Sequence, residues 1–507
     1  MKNRLILTLL FCLFTFLLFA QSKQNERVLK VGVESDIDVL GPWESAFAVN
    51  AKIFWNILEP LVTFEEKSTK IKPNLATSWK VSNNNRTWIF KLNGAVKFHN
   101  GNSLIADDVV ASASLFQDFK GKVEKVDRLT VRFILPEPHS GFLHTLVDIT
   151  YGIAPSWNIN EYKVLKKLDR LEDFIPIGSG PFKFSRWERG KKIILESFAD
   201  YWQGAPWLKN VVYKVIPNND ERLSALEKGE IDVIDVVSPA DLPRVRKNPN
   251  LRIISIYGMN ICYIAMNTTH KPLDNIKVRR AINMAVDKKR LIIMFYYGGY
   301  GVPTNRVLSP AFWKFRLSSE PEIYRPAAAK KFLTEAGYDK SLSLKLLCIP
   351  IARPYLPDPK GVAEEIKRQL ADIGVKVHLT IPPTYTDYDY LLRKGDYDLV
   401  LEGWIDVTGD PDYTLSSLLS GKESTYNDSH WHNQLFDEKL QAARELPISE
   451  IKARKRLYDE AQSIFQEEAP WIPLFHTKIF VIHNHRVKGI IFYPSSMLSY
   501  HKVRLEH

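Results

Sequence analysis

Between residues 361 and 381 the apolar residues change their period, and no other feature constrains the fold as much. Val362, Ile366, Leu370 and Ile373 recur at helical spacing, and Gly374 is placed to end that helix. Val375, Val377, Leu379 and Ile381 then alternate as a half-buried strand does. A helix that passes straight into a strand is the unit of α/β layers, in which helices cover the faces of a sheet. Val28–Val33 and Thr87–Leu92 are further strand candidates, the second for its apolar–polar alternation. Residues 399–401 read as a buried strand, and Leu457, Ala461, Ile464 and Phe465 mark a late helix that Pro470 stops. No short internal repeat or low-complexity linker interrupts the pattern. A chain of 507 residues exceeds one hydrophobic core, so two or more α/β domains are predicted.

The N-terminus has its own grammar. Lys2 and Arg4 precede an apolar run over residues 5–19, and Ala20-Gln21-Ser22 then turns polar. That layout is a secretory signal peptide, and the run is shorter than the roughly 20 apolar residues of a membrane span. Leu18 stands where cleavage prefers a small residue, so retention as an anchor is the alternative. Cys12 lies inside the run without the small residue that lipid attachment wants before it. Cys262 and Cys348 are too few for a disulfide framework, and their pairing is left open. The formal charge is +11, but the basic residues are scattered. Nucleic-acid binding wants a concentrated patch, so a solvated surface that suits an anionic membrane face is expected instead.

Several segments then follow in a telling order. Pro73-Asn74-Leu75-Ala76-Thr77-Ser78-Trp79 precedes Thr87–Leu92, Val96-Lys97-Phe98-His99-Asn100-Gly101 and Ala106-Asp107-Asp108-Val109-Val110. Gly178-Ser179-Gly180-Pro181-Phe182, Asp200-Tyr201-Trp202, Gly229-Glu230-Ile231-Asp232 and Val278-Arg279-Arg280-Ala281-Ile282 come after. Together they resemble the family 5 extracellular solute-binding proteins, the dipeptide-, oligopeptide- and nickel-binding receptors of ATP-driven importers. Read physically, most of these segments are structural. Asp107 and Asp108 sit at a helix start, where carboxylates meet free amides. His99 adjoins the turn Asn100-Gly101 and is expected to be structural.

The resemblance implies the two-lobed periplasmic-binding-protein fold, type II in its large cluster C form, with an extra inserted domain. After a signal peptide at 1–20, lobe I would comprise residues 27–63, 177–264 and 474–507, the insert 64–176, and lobe II 265–473. Strands near residues 261–266 and 472–475 would cross between the lobes as a hinge. The implied function is the substrate-binding component of an ABC importer in the periplasm or at the cell surface. It would be a monomer that captures short peptides and hands them to permease and ATPase subunits, with no cofactor and no catalysis.

Ligand contacts are expected from two segments. Arg353-Pro354-Tyr355 resembles the dipeptide-binding branch of the family, in which an Arg-Pro-Tyr segment faces the cleft; the guanidinium fork suits a ligand carboxylate, and Tyr355 can hydrogen-bond or pack on the ligand. In peptide-binding relatives a Gly-Trp pair is followed, three residues after the Trp, by an Asp that anchors the peptide amine. Here Gly403-Trp404 is present, Val407 holds that place, and Asp406 comes one residue early. Either Asp406 replaces the anchor or the amine site is lost; Trp404 offers an apolar wall, and Asp410 a turn.

Two rival classes carry less. An exported peptidase would show a Gly-x-Ser-x-Gly elbow or a His-Glu-x-x-His helix, and the sequence has neither. His430-Trp431-His432 and His483-Asn484-His485 bring histidines together without a full metal ligand set. Within the binding class a nickel chelate, haem, a sugar or a cell-wall fragment remains the alternative ligand.

Overall fold

A computed structural model describes residues 27–45, 48–82, 84–116, 119–312, 324–338, 342–421, 424 and 426–506. The apolar leader, with Cys12, lies outside the described residues. Among those described, no helix is long and apolar enough to cross a membrane.

The dominant feature is a sheet in two halves joined by one long strand, Trp471–Asn484. In the first half, Val28–Val33 runs parallel to Asn210–Val215 and to Val233–Ile234. Lys192–Ser197 and Phe182–Glu188 extend that edge antiparallel. The far end of Trp471–Asn484 closes the other edge against Val233–Ile234 and Leu251–Tyr257. In the second half, the near end of the same strand pairs with Asn260–Met266. Leu399–Ile405 follows, then Leu342–Cys348 and Val375–Thr380 in parallel. Leu251–Tyr257 and Asn260–Met266 are nearly continuous in sequence, so a second segment also passes between the halves, at residues 258–259.

The periodicity switch is built as its pattern predicts. Asp358 accepts a hydrogen bond from Gly361 N–H at 2.9 Å to start the helix Pro359–Ala371. Val362, Ile366 and Leu370 are fully buried along one face. Gly374, at φ +87°, turns the chain into Val375–Thr380. Thr87–Leu92 alternates as read, with Trp88, Phe90 and Leu92 inward. It belongs to a separate four-stranded antiparallel sheet with Ala76–Ser82, Thr130–Ile134 and Lys122–Asp127.

That small sheet reaches across to the second half. Asn85 Nδ2 donates to Leu446 O at 2.6 Å and to Arg444 O at 3.3 Å. Ser140 N–H and hydroxyl donate to Arg444 O and Ala443 O at 3.1 and 3.0 Å. These carbonyls end the helix Gln434–Glu445, where a helix leaves its last acceptors unpaired, so the two bodies cap each other.

Candidate functional site

A cavity of about 1610 Å³ lies between the two halves. The first half contributes Glu34, Lys52, Trp55 and Ser238, and the second contributes Arg353, Tyr355, Tyr388, Glu402 and Trp404. The Arg353 segment is a tight turn: Arg353 and Leu356 exchange backbone hydrogen bonds, each 2.9 Å. Tyr296 hydroxyl donates to Tyr355 O at 2.6 Å and holds the turn from behind. The half-buried Arg353 guanidinium lies 5.6 Å from the Tyr385 ring and has no carboxylate partner among the described residues. Tyr355 is 6% exposed and packs its ring on Gly403. A Cβ at Gly403 would lie 2.2 Å from Ile261 O and 2.6 Å from that ring, so only glycine fits there.

Trp404 faces the same cavity beside Tyr426 and Tyr413, with ring centroids 5.3 and 5.8 Å away. Its indole Nε1 is shielded and without a hydrogen-bond partner among the described residues. Asp406 takes a different direction from the one an amine anchor needs. Its Oδ1 accepts from Thr408 N–H at 2.7 Å, the Thr408 hydroxyl at 3.0 Å and Gly409 N–H at 2.6 Å; Oδ2 accepts from the Thr414 hydroxyl at 2.5 Å. The side chain is buried in its own loop, and burial raises its pKa to about 6 against those donors. Val407, not Asp406, lines the cavity, so the one-residue displacement in sequence turns the acid inward. Asp410 caps the helix Pro411–Leu419 and forms a buried pair with Arg454 at 3.1 Å.

The walls differ in how their charges are compensated. In the first half, Lys52 lies 2.9 Å from Asp235 and 3.3 Å from Glu34. Burial presses the ammonium pKa down, but the two carboxylates outweigh it and hold Lys52 charged. In the second half, Glu402 accepts from the hydroxyls of Tyr263 at 3.1 Å and Tyr388 at 3.0 Å. Asp428 lies against Glu402 within hydrogen-bond reach. Neither acid pairs with a Lys or Arg among the described residues. Sequence reasoning missed this pair and both tyrosines. Glu402 directly before Gly403-Trp404 was a visible signal, whereas nothing in sequence joins it to Asp428.

The shared segments read as structural meet around Glu59. Ser179 and Tyr201 hydroxyls and the Trp202 indole donate to its carboxyl at 2.8, 3.0 and 3.0 Å. His99 accepts from Gly178 N–H at 3.2 Å and reaches Gly180 O at 3.0 Å, and burial lowers its pKa to about 4, which keeps it neutral. Asp108 accepts from Ile105 and Ser156 N–H at 3.0 and 2.8 Å at its helix start. Cys262 and Cys348 are buried and unpaired. His430 and His432 line the cavity, while His483 and His485 bond backbone carbonyls through Nδ1. No group of three or more His, Cys, Asp or Glu is arranged to hold a metal among the described residues.

A large cleft between two α/β layers joined by crossing strands, with uncompensated charges on one wall, is the build of a ligand-capturing protein. The chain belongs to the bacterial extracellular solute-binding proteins of family 5, whose middle-region model matches residues 70–426. It is 30% identical over 481 residues to the dipeptide-binding protein of Escherichia coli K12, with 88% of each chain covered. It is 32% identical over 478 residues to heme-binding protein A of Haemophilus influenzae, covering 88% of this chain and 86% of that one. The dipeptide-binding protein of Pseudoalteromonas sp. SM9913, solved with Met-Leu, matches with a TM-score of 0.79 at 28% identity, over 94% of this chain and 100% of that one.

Proposed function

We propose that this protein is the substrate-binding component of an ABC importer, a monomer at the periplasmic face or cell surface that captures short peptides and delivers them to the permease. The observation that carries the reading is Arg353, a guanidinium on the cleft wall with no carboxylate partner among the described residues. A half-buried, unpaired Arg is held for an anion, and a peptide C-terminus supplies a planar carboxylate for its fork. The cavity exceeds the roughly 300–1,000 Å³ of common ligand pockets, which favours peptides longer than two residues or a peptide with retained water. The two half-sheets with their helices act as lobes. Closure about the crossing strands removes water from the cleft and strengthens its polar contacts, and the permease reads the closed form. Capture needs no chemistry on the ligand.

Calorimetry with a mixed pool of di- and tripeptides tests this, together with mass spectrometry of whatever co-purifies. Peptide binding that Arg353→Ala weakens by about tenfold or more supports it, since truncating one partner of a buried charge pair costs about 2–5 kcal/mol. Co-purified haem, nickel chelate or sugar, with no heat from the peptide pool, would defeat the peptide reading and leave solute capture standing.

A further inference from the structure

We propose that Glu402 and Asp428 form the cation subsite of the cleft: in the free protein they share one proton, and the protonated amine of a ligand displaces it. The inference rests on the peptide reading of the cleft and deepens it by assigning the amine end, which Asp406 does not serve. Both acids line the cavity, on the strand Leu399–Ile405 and on the segment after Tyr426. Glu402 spends one acceptor site on each oxygen, on Tyr263 and Tyr388, and each carboxylate oxygen has room for a second donor. Two acids within hydrogen-bond reach, with no Lys or Arg partner among the described residues, lack a counter-charge that a ligand can bring. A second observation points to a polar ligand at the same place. Tyr355, more than nine-tenths buried, lines the cavity with its hydroxyl unpartnered among the described residues.

The phenols around the pair stay protonated near neutral pH. Tyr263, Tyr355, Tyr388 and Tyr397 face the pair, and burial raises every one of these phenols far above neutrality. The Cys262 thiol behind the strand is likewise raised by burial. His430 acts on Asp428 as a positive neighbour, and Arg353 on Tyr355. Burial first, and then the neighbouring Glu402, raise the Asp428 carboxyl above the usual carboxylate range, and two acids in contact resist carrying two charges, so one proton shared between them is the form proposed for the free protein. An arriving ammonium adds one positive charge and releases that proton to solvent, which leaves the net charge of the subsite at minus one.

Titration calorimetry with trialanine and with N-acetyl-trialanine, in phosphate and in Tris, separates the alternatives. Expected for the native chain are binding of trialanine about tenfold or more tighter than its acetylated form, and a buffer-dependent heat that reports close to one proton released. Glu402→Gln and Asp428→Asn, checked for folding by circular dichroism, should each abolish the preference for the free amine and the proton release. Equal binding of both peptides with no proton release overturns the subsite and leaves peptide capture intact. Binding of neither peptide overturns both.

Discussion

Asn260 and Thr477 are clamped together at the point where both connecting segments leave one half-sheet for the other. Asn260 Oδ1 accepts from Thr477 N–H at 2.8 Å and from its hydroxyl at 3.1 Å, and Asn260 Nδ2 donates to Thr477 O at 3.3 Å. His476 Nδ1 adds a contact to Asn260 O at 2.6 Å. Each segment changes sheet within two residues of this clamp, at Tyr257/Asn260 and at Thr477/Lys478. We place the pivot of the proposed lobe closure at this clamp, which adjoins residues 261–266 and 472–475.

Asn260→Ala strips a buried N–H of its acceptor and should destabilise the fold by about 1–3 kcal/mol. Urea unfolding measures the loss. Hydrogen exchange supplies the specific readout: Thr477 N–H should exchange faster, while the Val28–Val33 strand keeps its protection. Unchanged exchange at Thr477 would remove the clamp from the account.

Gly403→Ala places a Cβ 2.6 Å from the Tyr355 ring and 2.2 Å from a backbone oxygen. The ring can shift but the backbone cannot do so cheaply, so a cost of about 1–3 kcal/mol in stability is expected. Tyr355 is displaced with it, and peptide affinity should fall in parallel. A thermal melt and a binding isotherm on the same preparation give both quantities.

Arg353→Lys keeps the charge and loses the planar fork. Peptide affinity should stay well below that of the native chain, since a point charge does not reproduce a bidentate pair. C-terminally amidated peptides should bind equally weakly to the native chain and to Arg353→Lys. A lysine variant with native affinity would argue that Arg353 acts as a general positive charge only.

Glu59 makes stability depend on pH. Burial raises its carboxyl to about 7 from an ordinary value of 4.5, against the hydroxyl and indole donors around it. The folded chain thus holds this proton more tightly than the unfolded one. The contribution is full below about 4.5 and is lost as pH rises through about 7. Glu59→Gln should flatten the stability profile across that window, as chemical denaturation at several pH values would record.

Asn85 tests the cap between the small sheet and the far half. It sits at φ +62°, so Asn85→Gly removes the side chain without straining the backbone. Losing its bonds to residues 444–446 should shift the unliganded protein toward an open form, seen by scattering as a larger radius that saturating ligand reverses. An identical radius in both proteins would leave Asn85 with no part in closure.

What the sequence determined by itself is what depends on near neighbours. The switch at Gly374, the alternation of Thr87–Leu92 and the carboxylates at the Ala106–Ala113 helix start are fixed by residues within one or two turns of each other. Arg353 and Tyr355 could be singled out because the short Arg-Pro-Tyr segment resembles the dipeptide-binding branch, a likeness carried by adjacent residues. What only the tertiary structure decided is where each acid spends its hydrogen bonds. Asp406 and Glu402 are four residues apart, yet one is consumed by Thr408, Gly409 and Thr414 while the other faces the cleft and meets Asp428. Glu59 gathers partners from residues 179, 201 and 202. A buried carboxyl must find donors, and which donors lie in reach depends on how distant segments pack, which no local pattern encodes.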